Sequence, residues 1–196
     1  MIEVVLASRN TGKLKEMQAL FAPLGWVLRP VSDFSAHEPE ETESTFVGNA
    51  LLKARDAAQV SGMPAIADDS GLSVDALNGA PGVDSAYFAG KPSNDAANNQ
   101  KLLRELANVP DEQRGAQFVC VMAYVRDADD GVPVIVEAHW RGRILREPRG
   151  KNGFGYDPLF FVPTHNCSSA ELAPDVKNRI SHRGQVAAQL LELLRG

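Results

Sequence analysis

The sequence predicts an α/β fold: a long, twisted central mixed sheet flanked by helices. Three stretches carry that prediction. The chain opens as strand, helix, strand over residues 2–31. An alanine-rich amphipathic helix runs from Thr45 to Val60. Two long β runs, Ala116 to Arg126 and Val132 to Leu145, are separated only by Asp127-Ala128-Asp129-Asp130-Gly131. A βαβ opening implies parallel neighbours, whereas a short Asp- and Gly-rich turn between two β runs implies an antiparallel hairpin. At 196 residues the chain suffices for one substantial core, so a single domain over residues 1–196 is expected, with any second lobe small. A composition of 44% hydrophobic and 23% charged residues excludes disordered and fibrous classes.

In chain order, Ile2 to Ala7 reads as a buried strand, and Ser8-Arg9-Asn10-Thr11-Gly12 turns into a helix whose Leu14, Met17, Leu20 and Phe21 recur at helical spacing. Pro23 and Gly25 end it, and Trp26 to Val31 is a second strand. Ser32 to Glu43 is acidic and polar, hence a surface connection. In the following helix Phe46, Ala50, Ala54 and Ala57 share one face, while Thr45, Asn49 and Lys53 form a separate polar stripe. Pro64-Ala65-Ile66-Ala67 is a short apolar strand expected to end in Asp68-Asp69, with Ser70-Gly71 turning the backbone and Leu72 to Leu77 forming a second β-like segment. Asn94 to Leu106 is expected to be helical with Leu102, Leu103 and Leu106 inward, and Pro110 to Gly115 is a linker. After the hairpin, Pro158 to Val162 is a last short strand, and Val186 to Leu194 closes the chain as an amphipathic helix.

The formal net charge of -5 argues against nucleic-acid polymers, which need a basic face, but is compatible with a single nucleotide bound through a few local cations and a metal. Met1 to Ala7 carries an acid where a signal peptide wants basic residues, and no segment approaches the roughly 18 consecutive apolar residues of a membrane span. A cytoplasmic setting with no membrane partner is therefore expected. Cys120 and Cys167 form no disulfide framework or zinc motif, and Cys120 reads as core packing within Phe118-Val119-Cys120-Val121-Met122.

Ala67-Asp68-Asp69-Ser70-Gly71-Leu72 presents two adjacent carboxylates, the hard oxygen ligands that Mg²⁺ prefers; Asp, Ser and Gly are equally ordinary turn formers. Ser8-Arg9-Asn10-Thr11-Gly12-Lys13 places small polar residues, backbone N–H groups and a lysine at a helix N-terminus, where phosphate binds readily. It lacks the leading Gly and trailing Ser or Thr of a P-loop, and it also serves as helix-capping material. Glu40-Glu41-Thr42-Glu43 precedes the Thr45 helix, where acids favour the helix dipole. The stripe ending in Lys53 continues from these acids, as a metal–phosphate environment would require; a solvated lysine fits too. Gly153-Phe154-Gly155-Tyr156-Asp157-Pro158 offers stacking rings between glycines and an acceptor, and Ser181-His182-Arg183 offers donors to carbonyl oxygens.

Taken in order, Ser8-x-Asn10-x-x-Lys13, Glu41-x-x-x-Thr45-Phe46-x-x-Asn49-Ala50-x-x-Lys53-Ala54, the Asp68-Asp69 motif, Gly153 to Pro158 and Ser181-His182-Arg183-Gly184 resemble the inosine triphosphate pyrophosphatase family across essentially the whole chain. The bacterial dITP/XTP pyrophosphatases are the relatives it most resembles. The resemblance implies hydrolysis of ITP, dITP and XTP to the monophosphate and pyrophosphate. It also implies Mg²⁺ as cofactor, a homodimer, and two lobes with the nucleotide in the cleft between them. It implies that the loop from Ser8 through Arg9, Asn10, Thr11 and Gly12 to Lys13 holds the triphosphate and that Glu41 and Asp69 ligate the metal, with Asp68 beside them. Asp69 would be the general base, Lys53 would stabilise charge at the reacting phosphate, and Ser70 would touch the nucleotide. For the base, Phe154 would stack, with Gly155 and Tyr156 in the same segment, Asp157 would face the ring N–H edge, and Lys177, His182 and Arg183 would complete the pocket.

Two positions depart from the family pattern: Ser85-Ala86-Tyr87-Phe88 lacks the arginine usual in that loop, and Lys151-Asn152-Gly153 replaces the Gly-Gly that commonly precedes Phe. Other enzyme classes fit less well. A haloacid-dehalogenase-like phosphatase spaces its acids by one residue, and a Nudix hydrolase needs a Gly-rich helix with Arg-Glu and Glu-Glu pairs. A nonenzymatic nucleotide-binding module is the remaining alternative.

Overall fold

Side chains alternate across a strand, and that alternation sorts the core into layers. In β1 (Ile2–Leu6), Val4 and Leu6 enter one apolar cluster and Val5 another. In β3 (Ala65–Val74), Ile66 joins the first, while Ala65 and Ala67 join the second. In β4 (Gly115–Val125), Cys120 and Met122 oppose Val121, Ala123 and Val125 in the same way. The first cluster is closed by Met17 and Phe21 of α1 (Thr11–Phe21) and by Val186, Ala187 and Leu190 of α5 (His182–Arg195). The second is closed by Ala50, Ala54, Ala57 and Ala58 of α2 (Phe46–Ser61). Alanine on this face lets the α2 backbone approach the sheet closely.

The computed structural model describes residues 2–22, 25–37 and 39–195; Met1, Pro23, Leu24, Glu38 and Gly196 lie outside the described residues, so the expected helix stop at Pro23 does too. Among the described residues one seven-stranded sheet forms in the order β2 (Trp26–Pro30), β1, β3, β4, β5 (Val134–Ile144), β6 (Phe160–Val162) and β7 (Cys167–Ser168). β1 pairs parallel with β2 and β3, and β6 pairs antiparallel with β5 and β7, so the sheet is mixed, as expected from the sequence. The chain divides into two compact units, one of residues 1–69, 120–138 and 183–196, the other of residues 70–119 and 139–182. No helix among the described residues is long and apolar enough to cross a membrane.

One expectation is corrected: β3 does not end at Asp68-Asp69 but runs on through Ser70 and Gly71 to Val74, absorbing the separate segment expected from Leu72. Turn propensity yields to pairing here. Among the described residues β1 accompanies β3 only at Ala65 and Ile66, and beyond Ser70-Gly71 the extended chain is held by a later loop: Leu72 N donates to Ser85 Oγ at 2.8 Å and Val74 N to the Ala80 carbonyl at 3.2 Å, so buried backbone groups stay paired. Two short elements, β7 and α4 (Pro174–Ile180), have no counterpart in the sequence reading, and α5 begins at His182 rather than Val186.

The second unit has its own core. Phe118, Trp140 and Phe160 pack with ring centroids 4.5–6.3 Å apart over Leu72, Val74 and Leu102, the last on α3 (Asp95–Glu105). Buried Arg114 donates to the carbonyls of Leu106, Ile144 and Leu145, tying the end of α3 to the end of β5. Gly142 sits where β5 meets β6, and a Cβ there would lie 2.4 Å from the Phe161 carbonyl oxygen and 2.5 Å from Phe160 Cζ. Gly142→Ala is expected to lower unfolding free energy by about 1–3 kcal/mol through overpacking, measured by urea denaturation; an unchanged midpoint would contradict this packing.

Candidate active site

The first unit builds its site at the start of α1. Asn10 caps the helix, its Oδ1 accepting from Gly12 N at 2.9 Å and Lys13 N at 3.1 Å, while Ser8 Oγ accepts from Asn10 N. Thr11 opens the helix, exposed to solvent. The Arg9 guanidinium turns away from this cap and donates to the carbonyls of Ser35 (2.6 Å) and His37 (2.8 Å). It fastens the segment leading to the acidic loop. Lys13, in the first turn, reaches Asp68 Oδ2 at 3.1 Å.

Because adjacent strand residues face opposite ways, Asp68 follows Ile66 onto the α1 and α5 side, and Asp69 follows Ala67 onto the α2 side. Asp68 is 1% exposed and takes Lys13 and Arg183 Nε (3.2 Å) on the same oxygen. Arg183 Nη1 also donates to Glu16 Oε2 at 3.2 Å, so Arg183 belongs with the acids of the first unit rather than with His182, its neighbour in sequence. Burial opposes ionisation of Asp68, but Lys13, Arg183 and Lys53 outweigh it and hold the carboxyl well below the usual carboxylate range.

On the other face Lys53 Nζ bridges Asp69 Oδ1 at 2.8 Å and Glu41 Oε1 at 2.7 Å. Asp69 Oδ2 is buried and takes no hydrogen bond among the described residues. Burial, with Glu41 adding to it, pushes the Asp69 carboxyl up against the pull of Lys53. Burial works against the charge on Lys53, yet Asp69, Asp68 and Glu41 raise its pKa. The polar stripe read from the sequence has distinct tasks: Thr45 caps α2 through Gly48 N, buried Asn49 accepts from Glu43 N at 3.1 Å, and Lys53 carries the cation. A Cβ on Gly48 would lie 2.7 Å from Glu43 Cβ, so the acidic loop lies directly on the helix start.

In the second unit Asp157, 2% exposed, is the hub. Its Oδ2 accepts from Phe154 N (2.9 Å) and Lys177 Nζ (2.7 Å), and its Oδ1 accepts from Ser169 Oγ (2.7 Å). Lys177 Nζ also stands 5.3 Å from the centroid of the half-buried Phe154 ring. Gly153 has φ +76°, and a Cβ there would fall 2.0 Å from Asp157 Oδ2, so only glycine lets the segment close on its own carboxylate. Buried Tyr156 donates its hydroxyl to the Ser85 carbonyl at 2.7 Å; burial pushes its pKa up, so it stays a donor. His182 stacks on Phe118 (centroids 4.7 Å, 12°) and faces Trp140, within the aromatic core. Ser70 is half-buried in β3.

The structure thus brings Ser8, Asn10, Lys13, Asp68 and Arg183 around one face of β3, Glu41, Lys53 and Asp69 around the other, and Phe154, Asp157 and Lys177 together in the second unit. Lys151 and Tyr87, at the two departures, are exposed, and Tyr87 has Lys91 Nζ 5.0 Å from its ring centroid. Cys120 is fully buried and its thiol is pushed up by burial, consistent with packing. Sequence reasoning missed Glu16 and Ser169. Glu16 follows Lys13 by one helical turn, a spacing that could have revealed it; Ser169 had only the neighbouring Ser168-to-Glu171 capping box as a signal. Among the described residues no group of three or more His, Cys, Asp or Glu side chains could hold a metal by itself. A two-carboxylate set suits a cation that completes its shell with water and substrate phosphate oxygens.

The Ham1 family model matches residues 4–193. A dITP/XTP pyrophosphatase of Pseudomonas aeruginosa is 59% identical over 192 residues, covering 98% of this chain and 96% of the relative. One of Vibrio cholerae is 49% identical over 194 residues, covering 99% and 97%. Among solved structures, a HAM1 protein from Coxiella burnetii superposes with TM-score 0.91 at 52% identity, covering 100% of this chain and 99% of that one. The Staphylococcus aureus Ham1 protein gives 0.84 at 40% identity, covering 98% and 97%.

Asp68→Asn leaves two largely buried cations short of a counter-charge and is expected to cost about 3 kcal/mol in urea denaturation, whereas Asp69→Asn, at a carboxyl whose charge burial already disfavours, is expected to cost under about 1 kcal/mol. Because the folded-state pKa of Asp68 is depressed, its contribution is present above the ordinary value of 3.8 and is lost as pH falls below it. Stability is therefore expected to decline below about pH 4, with a shallower decline in Asp68→Asn. Equal costs for the two variants would contradict the assignment.

Proposed function

The chain belongs to the Ham1 family, and on that premise we propose that it hydrolyses non-standard purine nucleoside triphosphates, ITP, dITP and XTP, to the monophosphate and pyrophosphate. The observation that carries this reading is the Lys53 bridge between Glu41 and Asp69 beside a buried Asp69 oxygen with no hydrogen-bond partner among the described residues. Two carboxylates already arranged about a cation, with one acceptor in reserve, suit phosphoryl chemistry.

Glu41 and Asp69 would hold a divalent cation, Mg²⁺ in this proposal, whose chemistry when bound is to neutralise charge on phosphate oxygens and lower the pKa of water. Asp69 takes the proton of the attacking water, its Oδ2 being the acceptor in reserve. The water oxygen bonds to the α-phosphorus, the bond from that phosphorus to the bridging oxygen breaks, and pyrophosphate leaves. Lys53, kept protonated by its acidic neighbours, donates to the charge that develops. Lys13, at the positive end of α1, meets the triphosphate with Ser8, Asn10, Thr11 and Gly12, while Arg9 steadies the loop through Ser35 and His37. Asp68 and Arg183 keep Lys13 placed.

For the base, Phe154 stacks on the purine, and Lys177, held by Asp157, donates toward its carbonyl edge. Asp157 already accepts three hydrogen bonds, which leaves about one of its four acceptor positions for a ring N–H. A 6-amino group would leave buried donors unpaired, the kind of mismatch that discriminates strongly. We also propose a homodimer in the cytoplasm. The dimer rests on the family resemblance, and the setting on the location of the nucleotide pool.

Purified protein with Mg²⁺ is expected to convert ITP and XTP to monophosphate and pyrophosphate at least about 10²-fold faster than ATP. Phosphorus NMR of the products is the check, and orthophosphate in place of pyrophosphate would overturn the reading. Asp69→Asn is expected to fold and bind nucleotide but to lose about 10²–10⁴-fold in kcat. Near-normal turnover would remove Asp69 from its role.

A further inference from the structure

Gly155 lies between Phe154 and Tyr156 in the left-handed region, φ +61°, and both of its backbone polar groups are gripped by one helix. Its N–H donates to Asp95 Oδ2 at 2.8 Å, and its carbonyl accepts from Asn99 Nδ2 at 2.9 Å. Asp95 and Asn99 are four residues apart on α3, hence on one face, and the same Asn99 Nδ2 donates to the Asp95 carbonyl at 2.9 Å. With both donated bonds fixing the amide, Asn99 Oδ1 is left buried with no hydrogen-bond partner among the described residues. Leaving that acceptor unpaired carries a cost which the grip on Gly155 must justify.

The same helix holds a second segment. Asn98 donates to the Ala86 carbonyl at 3.0 Å and accepts from Ala89 N at 2.7 Å, and the Tyr156 hydroxyl meets the Ser85 carbonyl. The Phe154–Asp157 segment is thus anchored at Gly155 by α3, at Tyr156 by the loop that α3 steadies, and at Asp157 by Ser169 and Lys177. Of these, only the α3 contacts act directly on the residue that follows the Phe154 ring.

We propose that Asp95 and Asn99 are positioning residues for base recognition: by clamping Gly155 they set the plane of the Phe154 ring and hence the affinity for a 6-oxopurine. The inference rests on the reading of Phe154 as the base platform. Neither side chain touches substrate in this assignment. Their effect is confined to the base end of the nucleotide.

The test compares equilibrium binding of inosine monophosphate and of inorganic tripolyphosphate to wild type, Asp95→Ala, Asn99→Leu and Asp95→Asn, with hydrogen exchange at the Gly155 amide. Asp95→Ala and Asn99→Leu are expected to weaken inosine monophosphate about tenfold while leaving tripolyphosphate within about twofold. Asp95→Asn, which keeps an acceptor oxygen, is expected to stay near wild type. Gly155 exchange is expected to quicken in Asp95→Ala and not in Asp95→Asn. Unchanged inosine monophosphate affinity despite faster exchange would mark a merely structural staple and overturn the proposal, as would equal weakening of both ligands. A wild-type protein that binds tripolyphosphate but not inosine monophosphate would overturn the base-platform reading itself. Should Asn99→Leu not fold, Asp95→Ala decides alone, since Asp95 is exposed.

Discussion

Two adjacent carboxylates inside one strand face opposite ways, so each draws its nearest cations from its own side of the sheet. That constraint organises the first unit. Asp68 and Asp69 each need separate compensation for burial, and each face of the sheet must bring it: Lys13 from α1 and Arg183 from α5 on one side, Lys53 from α2 on the other. The helices that close the two apolar layers therefore also deliver the charges. Packing and electrostatics are fixed by the same register, and a slip of one residue in β3 would break both.

The two aspartates consequently differ in character. Asp68 is over-compensated and stays ionised, a structural anchor for the start of α1. Asp69 is under-compensated, with a raised pKa and one oxygen in reserve, the condition for handling protons. Sequence alone makes them equivalent neighbours; the strand makes them different. Environments that push two carboxyl pKa values apart assign the roles of acid, base and ligand.

Much of the fold was legible because it rests on local pattern: the βαβ opening, the alanine face of α2 and the hairpin of β4 and β5 are all written in periodicity. The continuation of β3 was not, since Ser70-Gly71 reads as a turn by itself and the groups that hold the extended chain beyond it, Ser85 Oγ and the Ala80 carbonyl, lie in a later loop. The place of Arg183 was equally hidden, because its partners Asp68 and Glu16 are far away in sequence, whereas its chain neighbour His182 goes to an aromatic stack. Lys53 with its acids was visible as a stripe on one helical face. Asp157 was visible as an acceptor, but not the closure of its own loop upon it, which depends on a glycine in the left-handed region at position 153.

The acidic loop that carries Glu41 is moored upstream through the Arg9 contacts to Ser35 and His37, and downstream through Asn49 at Glu43. A tethered loop has already given up much of its conformational entropy when the chain folds. In the proposed role of Glu41, a cation would meet this carboxylate nearly in place, and little of its binding free energy would be consumed in ordering the chain. On that proposal the same moorings would tie affinity at Glu41 to residues away from the ion, so a change at Arg9 or Asn49 would register as weaker cation binding with Glu41 and Asp69 themselves unchanged.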